Sequence, residues 1–173
     1  MSGREIAILH TEESENINNA AIKRFLAMAG TGTLIALLAI AAALVWRDAS
    51  RMNNPNEVPS QVIVIAVTIL WGAALIFLWG MKMSPLLSYR RYLREIRSGL
   101  SRTVEGVVTR FDTDTTYRDG ISFYACVINV GGKGDPEDDR LLYWDTRLPR
   151  PEIASGDRVA VRAHGNDIIG FER

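Results

Sequence analysis

The fold class that this sequence predicts is a membrane-anchored α-helical hairpin joined to a small all-β module. Three observations carry that expectation: two long apolar runs without charge, a block of basic residues after the second run, and a change to period-two patterning beyond residue 103. The 20 basic and 20 acidic side chains cancel, but that average hides strong segregation along the chain. No charged side chain occurs between Phe25 and Trp46, and none between Val62 and Met81. Each run is about 20 residues, enough at 1.5 Å per residue to cross the roughly 30 Å hydrocarbon core. A soluble protein that buried both helices would need a large surrounding core, which the remaining chain cannot build.

The expected elements follow in order. Residues 1–24 form a cytoplasmic N-terminal segment, irregular to about residue 10. Thr11 can then cap a helix whose first turn holds Glu12 and Glu13, acidic groups that suit the positive helix end. Residues 25–46 form the first transmembrane helix. The run is too long for a secretory signal, and it follows Glu5, Glu12, Glu13 and Glu15 rather than a short basic start. This helix is rich in small residues, and Gly32 with Ala36 makes a small-xxx-small step that admits a neighbouring helix. Residues 47–61, with Asn53-Asn54-Pro55-Asn56 and Pro59, form a short external loop. Residues 62–81 form a second, bulkier span, and Trp46 and Trp79 mark the interfaces.

Orientation follows from the flanking basic residues. The loop offers Arg47 and Arg51, against Arg4, Lys23 and Arg24 before the first span. Six more follow the second: Lys82, Arg90, Arg91, Arg94, Arg97 and Arg102. The positive-inside rule places both termini in the cytoplasm, for a multi-pass plasma-membrane protein.

Ser84-Pro85 reads as an N-cap and first helical position, and Gly99 as a stop, so residues 84–99 form a juxtamembrane amphipathic helix. Leu86, Tyr89, Tyr92, Leu93 and Ile96 share one face; Arg90, Arg91, Arg94 and Arg97 occupy the adjoining third. Two coverings suit such a stripe. One is an anionic leaflet, whose headgroups the four arginines would meet. The other is a protein seam with a partner or second copy, since positions 86, 89, 93, 96 and 100 fit a heptad.

From residue 103 to 173, five strands are expected: Val104–Phe111, Ile121–Val130, Arg140–Asp145, Arg158–Ala163 and Ile168–Glu172. Gly165-Asn166 signals a tight hairpin between the last two. About 70 residues in five antiparallel strands suit a small closed barrel of OB or SH3-like type, because closure removes exposed edges. Cys126, the single cysteine, falls in the second strand and fits a small buried hydrophobe.

A resemblance rests on Gly106-Val107-Val108, on Asp119-Gly120 with Tyr124-Ala125, and on the run from Ile153 through Gly156-Asp157 to Val161, leading to Gly165-Asn166. With two spans in front, this module resembles NfeD-type membrane proteins, whose cytoplasmic tail is an OB-fold. The acidic insertion Gly134–Asp139 and the aromatic strand Leu141–Trp144 depart from that pattern. The resemblance implies a non-catalytic accessory role and carries over no functional residues.

No catalytic, cofactor or metal constellation is legible. Asp112, Asp114 and Asp119 fail the EF-hand pattern because Tyr117 stands where glycine is required. Asp135, Glu137, Asp138 and Asp139 read as a solvated loop. His10 and His164 have no ligand spacing, and Gly131-Gly132-Lys133-Gly134 lacks the context of a phosphate-binding loop. Nucleic acid is a poor partner, since residues 103–173 hold nine basic and thirteen acidic side chains. The expected function is therefore a membrane-anchored adaptor or scaffold whose barrel binds another protein. An accessory subunit of a membrane transporter is the alternative, and an enzyme with an unrecognised site ranks below both.

Overall fold

The computed structural model describes residues 7–10, 12–48, 56–131 and 135–172. The expected cap at Thr11, the flanking Arg4 and Arg51, the turn residues Asn53, Asn54 and Pro55, and Gly132-Lys133-Gly134 lie outside the described residues. The chain divides into two compact units, Asn19–Leu87 and a second made of Met1–Asn18 with Ser88–Arg173.

The first unit is helical. Helix α1 (Glu12–Asp48) and helix α2 (Glu57–Leu78) contain both apolar runs, and each is long and apolar enough to cross a bilayer. Little covers them: Leu38 is 61% exposed, Ile69 63% and Ile76 78%. Where α1 and α2 meet, a Cβ added at Gly32 would collide with the indole of Trp71. The same indole donates its N–H to Thr33 Oγ1 at 3.2 Å, and that hydroxyl donates to the Ala29 carbonyl at 2.8 Å. The indole N–H and the hydroxyl are thereby both bonded within the helix pair. Ala36, one turn beyond Gly32, is half-buried. Ile22, Phe25 and Met83 form a small buried cluster, with Leu78 and Leu86 packed against it.

The expected fresh helix start at Ser84 is not found. After α2 the chain makes one π-helical turn, Trp79–Met83, and passes directly into helix α3 (Ser84–Ser98). Ser84 is itself helical (φ −56°, ψ −50°), and its N–H bonds the Trp79 carbonyl five residues back. The cause lies one residue on. Pro85 has no N–H, and its ring presses on the carbonyl of residue 81, so the wider turn before it accommodates the proline without ending the helix.

In the second unit the strands are β1 (Ala7–Ile8), β2 (Arg102–Arg118), β3 (Ile121–Asn129), β4 (Asp139–Asp145), β5 (Arg158–His164) and β6 (Asp167–Glu172). Strands β2 to β6 close a five-stranded barrel in the order β2-β3-β4-β6-β5, with β5 returning to β2. Four contacts are antiparallel, as expected; the fifth, β4 with β6, is parallel at Tyr143 and Asp167. The hairpin at Gly165 (φ +58°) reverses β5 into β6, and the long β4–β5 connection leaves β6 running along β4.

Two further differences from expectation have local causes. Strand β2 runs on from Phe111 to Arg118, because Asp119 (φ +53°) and Gly120 (φ +85°) supply the two left-handed residues of a tight hairpin. The N-terminal segment, expected to be irregular, places β1 beside β6 at Gly170 and Phe171, and Leu9 N–H bonds the Ile169 carbonyl at 2.9 Å.

The barrel interior is filled by alternate residues, including Val108, Cys126, Ile128, Leu142, Trp144, Val161 and Ile168. Strand β3 is also buried on its outer side. There Ile121 and Phe123 meet Tyr89, Tyr92, Leu93 and Ile96 of α3, with Tyr143 and Ile169 at the margin.

Candidate functional site

The apolar stripe of α3 thus packs on the outside of the chain's own barrel. Tyr89 and Leu93 are 3% exposed, so neither lipid nor a partner covers these side chains. The expected heptad seam does not hold together either. Leu86 packs with Ile22, Phe25 and Met83, whereas Leu100, beyond the helix end, is 95% exposed. Such a stripe dictates that something apolar must cover it. It does not say what.

The four arginines face away from this contact and are exposed. Two are engaged within the chain. Arg97 donates to Glu15 at 2.6 Å and Glu12 at 3.2 Å, and Arg91 donates to Glu95 at 2.9 Å. Arg90 and Arg94 make no ion pair among the described residues.

Polar groups run along the margin of the helix–barrel contact. The Tyr89 hydroxyl donates to Asp145 Oδ2 at 2.8 Å. Asp145 is fully buried, and its Oδ1 accepts the Arg147 N–H at 2.9 Å. The Arg147 guanidinium lies 3.7 Å above the centre of the Tyr89 ring. At the other margin Arg118 pairs with both carboxylate oxygens of Asp167, at 2.8 and 2.9 Å. Its guanidinium also lies 4.8 Å from the centre of the Tyr143 ring and 5.3 Å from that of Phe123. Burial raises the pKa of Tyr89, and the neighbouring Asp145 raises it further, so the hydroxyl keeps the proton it donates. Burial likewise raises Tyr92, with Asp167 next in effect. Burial also raises Asp167, against the opposing pull of Arg118.

A cavity of about 390 Å³ opens between α3 and the β2–β3 turn, lined in part by Ser88, Arg91, Glu95, Arg118, Asp119 and Asp167. Its charges are largely matched within the chain. Arg91 pairs with Glu95 and Arg118 with Asp167.

Other residues singled out from the sequence have structural roles here. Burial pushes the Cys126 thiol up to about 12, which removes the thiolate that a nucleophile needs. Asp112 pairs with Arg110 at 2.9 Å. In the acidic loop, Asp135 accepts the Glu137 N–H, and Asp139 accepts from the Asn129 amide. Among the described residues no three His, Cys, Asp or Glu side chains converge as a metal-binding group.

Of this margin the sequence singled out Tyr89 alone, as part of the apolar stripe, and not the polar pairs, because the partners are remote. Tyr89 and Asp145 are 56 positions apart, and Arg118 and Asp167 are 49. One signal did exist. Two tyrosines in an otherwise aliphatic stripe point to polar partners at the edge of a buried contact. No family model, curated protein or solved structure matches the chain.

Proposed function

We propose that the protein is a membrane-anchored, non-catalytic adaptor that presents its barrel at the cytoplasmic face to bind or regulate another protein. One observation carries the reading. The residues before α1 and in its first turn fold together with those after α2, since β1 pairs with β6 and Glu12 and Glu15 pair with Arg97. Two apolar helices that leave one folded unit and return to it suit a hairpin that crosses the bilayer twice. In the most apolar 18-residue stretch of each helix, 6% and 0% of the residues are buried, which argues against a core role in a soluble fold. The basic flanks favour the cytoplasm for the barrel.

The strand order favours the OB type over an SH3-like barrel, in keeping with the NfeD resemblance. OB barrels take oligonucleotides and oligosaccharides on the face of their second and third strands and the adjoining loops. Here α3 occupies that face, packed on Phe123 and Ile121 of β3 with Tyr143 of β4 at the margin. A nucleic-acid role is disfavoured on this ground as well as on charge, and a protein contact elsewhere on the barrel is the reading that remains. Arg90 and Arg94 are the basic groups of α3 still available to anionic headgroups or to an acidic partner.

Two measurements test the proposal. With Glu57→Cys and Asp135→Cys made separately, an impermeant thiol reagent on intact cells should label the first only. Extraction in mild detergent should then retain one stoichiometric protein partner. Labelling at position 135 without lysis overturns the topology, and substrate turnover by the purified protein overturns the adaptor reading.

A further inference from the structure

The N-terminal segment is fastened at two points, to the barrel and to α3. Strand β1 pairs two residues with β6, and the first turn of α1 is clasped through Glu12 and Glu15 by Arg97. Between these attachments sits His10. Its side chain is 3% exposed, and its ring meets Tyr92 edge to face at 5.6 Å. Among the described residues neither ring nitrogen has a hydrogen-bond partner, and Nδ1 stands 4.0 Å from Asp145 Oδ2, beyond hydrogen-bond reach. The Asp145 oxygens already accept from Tyr89 and from the Arg147 backbone.

The charged and titratable surroundings of His10 come from every element packed there. Helix α3 supplies Tyr92, in ring contact, and β4 supplies Asp145, whose carboxylate also accepts from the Tyr89 hydroxyl and the Arg147 N–H. A cavity of about 420 Å³ beside the ring is lined by Glu12, Arg97 and Arg162 as well.

We propose that Ala7–His10 and the first turn of α1 act as a strap that acid releases from the barrel, with His10 as its proton-sensitive latch. A neutral imidazole tolerates this pocket because it carries no charge there. A protonated one has two N–H donors, no acceptor within hydrogen-bond distance among the described residues, and a side chain only 3% exposed. Burial holds the His10 pKa below its ordinary 6.5, and Asp145 pulls it back only in part. A histidine whose pKa is lower in the docked state favours docking fully above the free value. That contribution is lost as pH falls from 6.5 through the docked value, by up to about tenfold in the docking equilibrium per pH unit. Release would uncover the β6 edge at Gly170 and Phe171 and free Arg97 from its two glutamates. An open strand edge of that kind can take an extended segment of another chain.

The test uses the full chain in nanodiscs. Hydrogen exchange at the Leu9 amide, which bonds the Ile169 carbonyl, is measured from about pH 7.5 to about pH 5, the range in which histidine titrates, and corrected for intrinsic exchange. Protection should fall by several-fold or more on acidification. His10→Phe, which fills the pocket without a titrating group, should stay docked and lose that dependence. In a His164→Gln background, the remaining imidazole should titrate below 6.5 by NMR. Protection that is constant or rises with acid overturns the proposal, as does a His10 value above 6.5, which would mean that Asp145 tightens the strap. So does a His10→Phe variant that keeps the full acid response. If His10→Phe itself fails to dock, the wild-type exchange profile and the imidazole titration still decide the sign.

Discussion

The apolar face of α3 and the apolar flanks of α1 and α2 carry similar side chains and meet opposite fates. On α3, Leu93 and Ile96 are 3% and 6% exposed because the outer face of β3, β4 and β6 lies over them. On α1 and α2, Leu38, Ile69 and Ile76 have no such cover. The difference is one of supply. The barrel offers an apolar outer face, built from Ile121, Phe123, Tyr143 and Ile169, and α3 uses it. The uncovered surface of the two long helices is the one that the proposed bilayer would cover.

The largest expected effect comes from opening the covered face. Phe123 is 1% exposed and touches α3, so Phe123→Ala should destabilise the barrel by about 3–5 kcal/mol. Ile76→Ala in α2 should leave barrel unfolding within about 0.5 kcal/mol. Denaturation of the full chain in nanodiscs, followed by hydrogen exchange of β3 amides, measures both. Equal losses would mean that the two apolar surfaces are not different in kind.

Next in size is the polar margin. Tyr89→Phe deletes the hydroxyl that donates to the buried Asp145 and should cost about 1–3 kcal/mol, since the carboxylate loses a donor that water cannot replace. The same unfolding measurement reads it. A neutral result would show that Asp145 finds another donor, such as His10 Nδ1, which stands 4.0 Å from Oδ2.

Smaller again is the clasp on α1. Arg97 is about half exposed and its pairs with Glu12 and Glu15 face solvent, so Arg97→Gln should change stability by less than about 1 kcal/mol, with the effect shrinking as salt is raised. The smallest effect on folding should come from Arg90→Gln with Arg94→Gln, within about 0.5 kcal/mol. If these two meet anionic headgroups, a nitroxide placed on Arg94→Cys should show lower solvent accessibility in anionic than in neutral nanodiscs. No difference between the two lipids would remove the leaflet from their role.

Much of the molecule was legible before the structure. The apolar runs, the helical phase of residues 84–98, the turn at Gly165 and the alternation in β5 are local, and each is set by residues within a few positions of one another. Even the extension of β2 has a local cause in Asp119 and Gly120, although the Asp- and Thr-rich stretch before them disguised it.

The sequence by itself determined which stretches are apolar, which faces are amphipathic and where the chain can reverse, because hydrophobic period and turn chemistry act between neighbours. Only the tertiary structure decided what lies against what. It set α3 on the barrel rather than on a leaflet or a partner, recruited Ala7–Ile8 as a strand, and placed β6 parallel to β4. It also joined Tyr89 to Asp145 and Arg118 to Asp167. The physical reason is that burial is non-directional. A stripe of Tyr89, Leu93 and Ile96 is stabilised by any dry, complementary surface, and the surface that wins is the one that closure of a remote β-barrel holds in place.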